Sequence, residues 1–212
     1  MNVLHLIANP RPAETSVSKK MAFEFFSALM EKNPDVVVNN VDLYQNKPPF
    51  VSADALNYFW RPVLEPSYIP SKAEENAANY SNNNAQMLLD ADVVVLTLPV
   101  WLNSMPSILK AWFDQVIAPG IVFQMGPEGP VPTHHIRTVV MLVSSNQVYK
   151  ENDPADGLTP AIRAIFAYIG IDDIRIAWAD GQDANRHFDS AQRRDLAIEA
   201  AREIAEDLAL PE

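Results

Sequence analysis

The 212-residue sequence predicts an α/β fold, a three-layer sandwich with helices on both faces of a five-stranded parallel sheet of order 2-1-3-4-5. Three observations predict it. Short apolar runs alternate with amphipathic segments from end to end, so each strand reaches the next through a helical, right-handed crossover. The run Val93-Val94-Val95-Leu96-Thr97-Leu98 has no polar alternation, as a strand covered on both faces requires. No repeat or low-complexity tract divides the chain, which reads as one domain over 1–212 with an excursion at 42–71.

In chain order, residues 3–7 form the first strand. Over 16–31, Val17, Met21, Phe25 and Leu29 recur every four positions, with Ala22, Phe26 and Met30 beside them, which is one face of a helix. Asn33-Pro34-Asp35 ends it, and 36–41 is the second strand. Residues 42–71 carry Pro48, Pro49, Pro62, Pro66 and Pro70 among aromatics, and only one short helix is expected there because proline disrupts a helix interior. A helix over 72–89 leads to the third strand, 93–98. Pro106 is expected at the first position of a helix reaching 116. The fourth strand is 139–143, and a helix over 161–169 stops at Gly170. The fifth strand is 174–177. Ser190 is expected to cap a last helix whose Leu196, Ala200, Ile204 and Leu208 recur at spacing four.

Composition excludes several function classes. No window approaches the ~18 consecutive apolar residues of a membrane helix. The opening Met1-Asn2-Val3-Leu4-His5-Leu6 lacks the basic and long apolar regions of a signal peptide. Cysteine is absent, so disulfides, thiol nucleophiles and cysteine metal sites are excluded, and a cytoplasmic location is expected. With 16 basic and 27 acidic residues, the net charge of −11 repels nucleic acid and anionic lipid. No Gly-x-Ser-x-Gly elbow supports a serine nucleophile. His134-His135 is read as a solvated loop, because adjacent side chains diverge and no acidic partner has ligand spacing. Glu128 and Asp172-Asp173 are read as surface charges.

In such a sheet, ligands bind outside the carboxyl ends of the strands at the topological switch point. The loop after the first strand reads Ala8-Asn9-Pro10-Arg11-Pro12-Ala13-Glu14-Thr15-Ser16-Val17-Ser18. It lacks both Gly-x-Gly-x-x-Gly and Gly-Lys-Ser/Thr. It does place hydroxyls at a helix N-terminus, where free N–H groups and the dipole hold phosphate, with Arg11, Lys19 and Lys20 nearby. Simple capping by Thr15 or Ser16 is the alternative. The loop after the third strand, Pro99-Val100-Trp101-Leu102-Asn103-Ser104-Met105-Pro106, offers an indole to stack on or wall a flat ring and backbone groups to bond a ring edge. The alternative is that Trp101 packs under a loop.

Leu98-Pro99-Val100-Trp101 followed by Met105-Pro106-Ser107-Ile108-Leu109-Lys110-Ala111-Trp112-Phe113-Asp114-Gln115-Val116 resembles the signature of the flavodoxin-like NAD(P)H quinone reductases. Asn9-Pro10-Arg11 with Ser16-Val17-Ser18 is similar to their phosphate loop. Chain length, Gly120-Ile121-Val122-Phe123 and Gly126-Pro127-Glu128-Gly129 look most like the FMN-dependent NADH-azoreductase branch. The resemblance implies a flavodoxin-like fold and a homodimer with FMN at its interface. It also implies two-electron transfer from NADH or NADPH to a quinone, azo or nitroaromatic acceptor, by a ping-pong order where donor and acceptor share one pocket. It assigns the FMN phosphate to Asn9, Arg11, Ser16, Val17 and Ser18, and the isoalloxazine to Pro99, Val100, Trp101, Leu102 and Asn103. The ring edge falls to Ser144, Ser145, Asn146 and Gln147. The chain departs from the branch there, which usually carries a Ser-Arg-Gly-Gly loop, and the lost glycines are expected to restrict the backbone. Asn9 also replaces the usual serine.

Tyr149 and His187 are the candidates for a proton donor to the reduced acceptor, each set against a purely structural role. Phe123, Trp60 and Phe50 are candidates for a partner's pocket or for packing. Two other readings stay open. The acidic surface fits a flavodoxin-type electron carrier, although the aromatic excursion does not. The altered third loop fits a flavin-free binding module.

Overall fold

The computed structural model describes residues 1–209. Its central sheet is parallel, in the order β2-β1-β3-β6-β7, formed by β1 (Asn2–Ile7), β2 (Val37–Asp42), β3 (Val93–Pro99), β6 (Thr138–Ser144) and β7 (Asp173–Ala179). This is the expected order 2-1-3-4-5. The labels differ because β4 (Phe123–Gly126) and β5 (Gly129–Pro132) form a separate antiparallel hairpin that the sequence reading did not anticipate. Gly129, at φ +131°, supplies the turn backbone that an L side chain rarely adopts.

Strand register explains the layers. Alternate residues of β3 enter opposite cores. Val93 and Val95 join Met21, Phe25 and Leu29 of α1 (Val17–Lys32) and Ala197, Ala201 and Ala205 of α7 (Ser190–Leu208). Val94, Leu96 and Leu98 join the larger core, with Leu88 of α4 (Asn79–Leu89), Leu109, Trp112 and Phe113 of α5 (Ser107–Val116) and Phe166 of α6 (Thr159–Tyr168). The three alanines of α7 let it lie close to α1. Edge strand β2 mixes valine with Asn39, Asn40 and Asp42, and only Val41 is buried.

Several local expectations are corrected. The 42–71 excursion contains a twelve-residue helix, α2 (Ala53–Leu64), with Pro62 inside it. Pro62 falls in the last turn, where its missing N–H forfeits little, and Ala55 and Phe59 bury the inner face. The segment 72–89 is two helices, α3 (Lys72–Ala77) and α4, meeting at Ala78. Ser71 and Glu74 form a reciprocal capping box at the start of α3, for which Ser-x-x-Glu is the sequence signature. The Tyr68 hydroxyl, then the Ser71 N–H, hold the Glu74 carboxyl below its ordinary range. Pro106 occupies the N-cap rather than the first helical position. Ser190 is the first residue of α7 and does not cap it, and no side chain does. The helix expected over 161–169 is α6, which begins two residues earlier. Gly170 does end it, at φ +83°, with Ile171 N–H donating to Phe166 O and Gly170 N–H to Ala167 O, the paired bonds of a Schellman stop.

His134 is not simply solvated. Its Nδ1 accepts from the Ile136 N–H (3.2 Å), so Nε2–H donates to Ile169 O (3.0 Å). Burial pushes its pKa down. His135 is exposed beside Asp92. No cluster with metal-ligand composition occurs among the described residues. Glu128 is exposed, as expected. Asp172 and Asp173 are exposed too, and Asp173 also accepts from the Thr138 hydroxyl (2.8 Å) and pairs with Arg175.

Candidate functional site

Parallel strands send every strand-to-helix loop to one edge of the sheet, and the sequence-predicted residues gather there. The ladder runs on past the strand ends: Ala8 N–H donates to Thr97 O, Val100 N–H to Ser144 O and Ser145 N–H to Ala179 O. The three loops are thus fixed side by side.

In the first loop, Asn9, Ser16 and Ser18 form a buried polar knot. Asn9 Nδ2 donates to Ser16 Oγ (2.8 Å) and Ser18 Oγ (3.0 Å), while Asn9 Oδ1 accepts from the Arg11 N–H (3.0 Å). Ser16 Oγ also accepts from the Lys19 N–H (3.2 Å), so Ser16 is the N-cap of α1. Thr15 does not cap, and its hydroxyl lies against Pro12 O. Capping and phosphate binding were set against each other in the sequence, yet the geometry admits both. The Ser16 oxygen has filled its two acceptor positions, so its remaining capacity is donation. The Ser16 and Ser18 oxygens lie 3.3 Å apart, so at most one hydroxyl proton is spent between them. With the first N–H groups of α1, half-buried Val17 and the exposed Arg11, the donor set suits an anion.

The second loop carries two of the three non-glycine residues with positive φ among the described residues. Trp101 and Ser104 exchange both N–H···O bonds (2.9 and 3.0 Å), and the two residues between them, Leu102 at φ +48° and Asn103 at φ +63°, are left-handed. That is a two-residue turn of the type usually built from Asn-Gly. Holding two non-glycine residues there costs on the order of 1–3 kcal/mol each, and such strain concentrates at functional sites. Leu102 projects fully into solvent. Trp101 is 44% exposed, so it does not pack beneath the loop.

The third loop is quieter than its missing glycines implied. None of residues 144–147 has a positive φ, so Ser-Ser-Asn-Gln sits there without strain. Buried Ser145 anchors it: its hydroxyl donates to Gln147 O (2.7 Å) and accepts from Trp178 Nε1–H (2.8 Å). Gly181 and Gln182 N–H groups tie the same loop to the end of β7.

Between the second and third loops lies a cleft of about 330 Å³. Val100, Leu102 and Asn103 line one side, Ser145, Asn146 and Gln147 the other, with Tyr149 across the end. Pro99, Trp101 and Ser144 belong to the same loops but not to its lining. His187 also lies outside it, packed against Gly181.

Two further residues shape the cleft. Gly157 donates its N–H to Asn103 O (2.8 Å), and a Cβ on it would stand 2.7 Å from that oxygen. Trp178 packs against Tyr149, ring centroids 5.2 Å apart and tilted by 37°. Glycine in a Gly-Leu-Thr-Pro stretch carries no sign of such an approach, so only the packing reveals it.

Fold and site together define a flavodoxin-like protein with a donor-rich helix terminus beside a cleft at the sheet's switch point. The profile of the flavodoxin-like fold family matches residues 1–205. FMN-dependent NADH:quinone oxidoreductase 4 of Bacillus cereus is 30% identical over 168 residues, 79% of each chain. The FMN-dependent NADH:quinone oxidoreductase of Clostridium perfringens is 31% identical over 181 residues, 85% of this chain and 86% of its own. An azoreductase structure from Bacillus anthracis superposes with a TM-score of 0.85 at 25% identity, covering 97% of this chain and 99% of that one. The chain belongs to the family of FMN-dependent NADH:quinone oxidoreductases within the flavodoxin-like fold. No helix among the described residues is long and apolar enough to cross a membrane.

Proposed function

We propose that the chain is an FMN-dependent oxidoreductase that passes two electrons from NADH or NADPH to quinone, azo or nitroaromatic acceptors. The observation that carries this reading is the adjacency, at one sheet edge, of the Asn9–Ser16–Ser18 donor set and the cleft between the second and third loops. The relatives' names supply the cofactor and favour NADH as donor.

The residues present fit FMN. A phosphate dianion matches the helix terminus, the two serines and Arg11 in a chain otherwise charged −11. Val17, at the first position of α1, would lie with the phosphate; Pro99, Val100, Trp101, Leu102 and Asn103 would flank the ring system, and Ser144, Ser145, Asn146 and Gln147 its edge. When bound, FMN supplies a hydride-accepting ring, which no side chain provides. The chain's own residues bind and orient it and exclude water. Donor and acceptor sharing one cleft would alternate in a ping-pong order.

The active form in this reading is a homodimer, with the whole chain acting as one domain in a cytoplasmic setting. Two apolar grooves support the dimer. One of about 420 Å³ joins Phe50 to Ser104 and Met105 of the second loop. Another of about 310 Å³ runs among Trp60, Phe113 and Tyr168. They meet at the ion-paired Lys110 and Asp114 of α5, and the first reaches Ser104, next in the chain to the cleft residue Asn103. Phe123 is buried core here, Trp60 half-buried and Phe50 86% exposed.

The test is an absorbance titration of the apo-protein with FMN, followed by anaerobic NADH. Micromolar or tighter binding with full bleaching, reversed by a quinone, is expected. The Ser16→Ala/Ser18→Ala variant should bind FMN more than tenfold more weakly, at about 1 kcal/mol or more per lost bond. Bound FMN that neither nicotinamide bleaches would point to an electron carrier, which the acidic surface favours, and absence of binding would sink the reading.

A further inference from the structure

We propose that Tyr149 and Gly157 are positioning residues that hold the left-handed Leu102–Asn103 turn in the conformation that shapes the cleft. The inference rests on the oxidoreductase reading of that cleft and deepens it by assigning control of the second loop to the segment 149–158.

A Leu-Asn pair has little intrinsic preference for a turn with both residues left-handed. Something outside the loop must make up for that strain. The Trp101–Ser104 pair closes the turn but adds only local bonds. The outside contacts all come from one segment. Gly157 N–H donates to the Asn103 carbonyl at 2.8 Å, and Ser104 Oγ donates to Gly157 O at 3.4 Å. The Tyr149 hydroxyl lies 2.8 Å from Asn103 Oδ1 and 3.0 Å from Gln147 Oε1, so it also joins the second loop to the third. Asn103 is thus gripped through both its main chain and its side chain.

The segment is itself well anchored. Asp153 Oδ1 accepts from Ala155 N–H, and Asp156 Oδ1 accepts from Leu158 and Thr159 N–H at the start of α6, each at 2.9 Å. Asn152, at φ +56°, is the other non-glycine residue with positive φ among the described residues, so all such residues lie in the turn or in the segment that holds it. Behind Tyr149, the Trp178 ring is fixed by its bond to Ser145.

This geometry separates Tyr149 from a role as proton donor. A phenol has one proton, and here that proton is held between two amide oxygens, Asn103 Oδ1 and Gln147 Oε1. Burial, then the Asp156 and Asp153 carboxylates, raise the phenol's pKa and keep it protonated. A hydroxyl so placed orients a loop.

The experiment compares the FMN-loaded wild type with Tyr149→Phe, Asn103→Ala, their double variant and Gly157→Ala. Each single change is expected to raise KM for nicotinamide and acceptor by about fivefold or more, with kcat within about twofold, and to shift the visible circular dichroism of the flavin. The double variant should be no worse than Asn103→Ala alone, because both remove one bond. A Tyr149→Phe enzyme with unchanged KM but lower kcat and a lost alkaline limb in its pH profile would make the phenol an acid and overturn the proposal. Additive effects would overturn it as well. A urea-unfolding cycle on the same variants without FMN needs no activity. Coupling between Tyr149 and Asn103 is expected there, and zero coupling refutes the proposal even if the oxidoreductase reading fails on its own titration.

Discussion

His5 shows how a single side chain reports on the fold. It is buried in β1 between Asn40 Oδ1 (2.7 Å from Nδ1) and the Thr97 hydroxyl (2.8 Å from Nε2), beside Phe26. Asn40 Oδ1 only accepts, so Nδ1 carries the proton and Nε2 receives one from Thr97. The ring is neutral. Burial lowers its pKa to about 4, partly offset by the Asn40 bond and reinforced by the Lys19 cation. The unfolded chain therefore binds this proton first as pH falls. The stability from neutral His5 is fully present above the ordinary value of 6.5, falls between there and 4, and is lost by roughly 3 kcal/mol at the acid end. Urea unfolding as a function of pH should show a His5→Gln variant losing less stability than wild type across that window. Parallel curves would mean that His5 titrates normally.

At the scale of elements, α6 depends on a residue that also touches the hairpin. Gly170 closes the Schellman stop at φ +83°, and a Cβ there would stand 2.9 Å from the Pro132 ring at the end of β5. Gly170→Ala should therefore destabilise the chain by more than the ~1 kcal/mol of a left-handed alanine alone. Urea denaturation checks it, and an unchanged midpoint would show that the stop does not require glycine. Which part of this was readable differs by half. The helix end was legible, because a glycine after a periodic apolar segment has one common meaning. The hairpin was not, because Phe123-Gln124-Met125-Gly126 and its partner are too short and too mixed to alternate clearly. Their pairing is secured by packing of buried Phe123 against Trp60 and Tyr168.

At the scale of the whole molecule, the −11 charge and the apolar grooves act together. The charge keeps separate molecules apart, while in the homodimer proposed above the grooves beside α5 and α6 would give a second copy a defined surface from which to exclude water. Tyr168→Glu places a charge in the second groove. It should shift the mass measured by sedimentation from dimer towards monomer and reduce turnover, since the first groove includes Ser104 and Met105 of the second loop, which is proposed to flank the flavin. A monomeric wild type, or a variant that stays dimeric, would remove this face from the interface.

By itself the sequence determined the strand–helix alternation, the sheet order, the both-sided burial of β3 and the three loops on which the site is built. These follow from periodicity and chain connectivity, which are local properties. It also marked the residues of the donor set, though as rivals to a helix cap, because one hydroxyl's two roles separate only when its bonds are placed. The tertiary structure alone decided that Ser144–Gln147 needs no glycine, that Leu102 and Asn103 are strained, and that Gly157 and Tyr149 hold them. Those facts depend on backbone angles and on contacts between segments some fifty residues apart in the chain, where neither propensity nor pattern carries information.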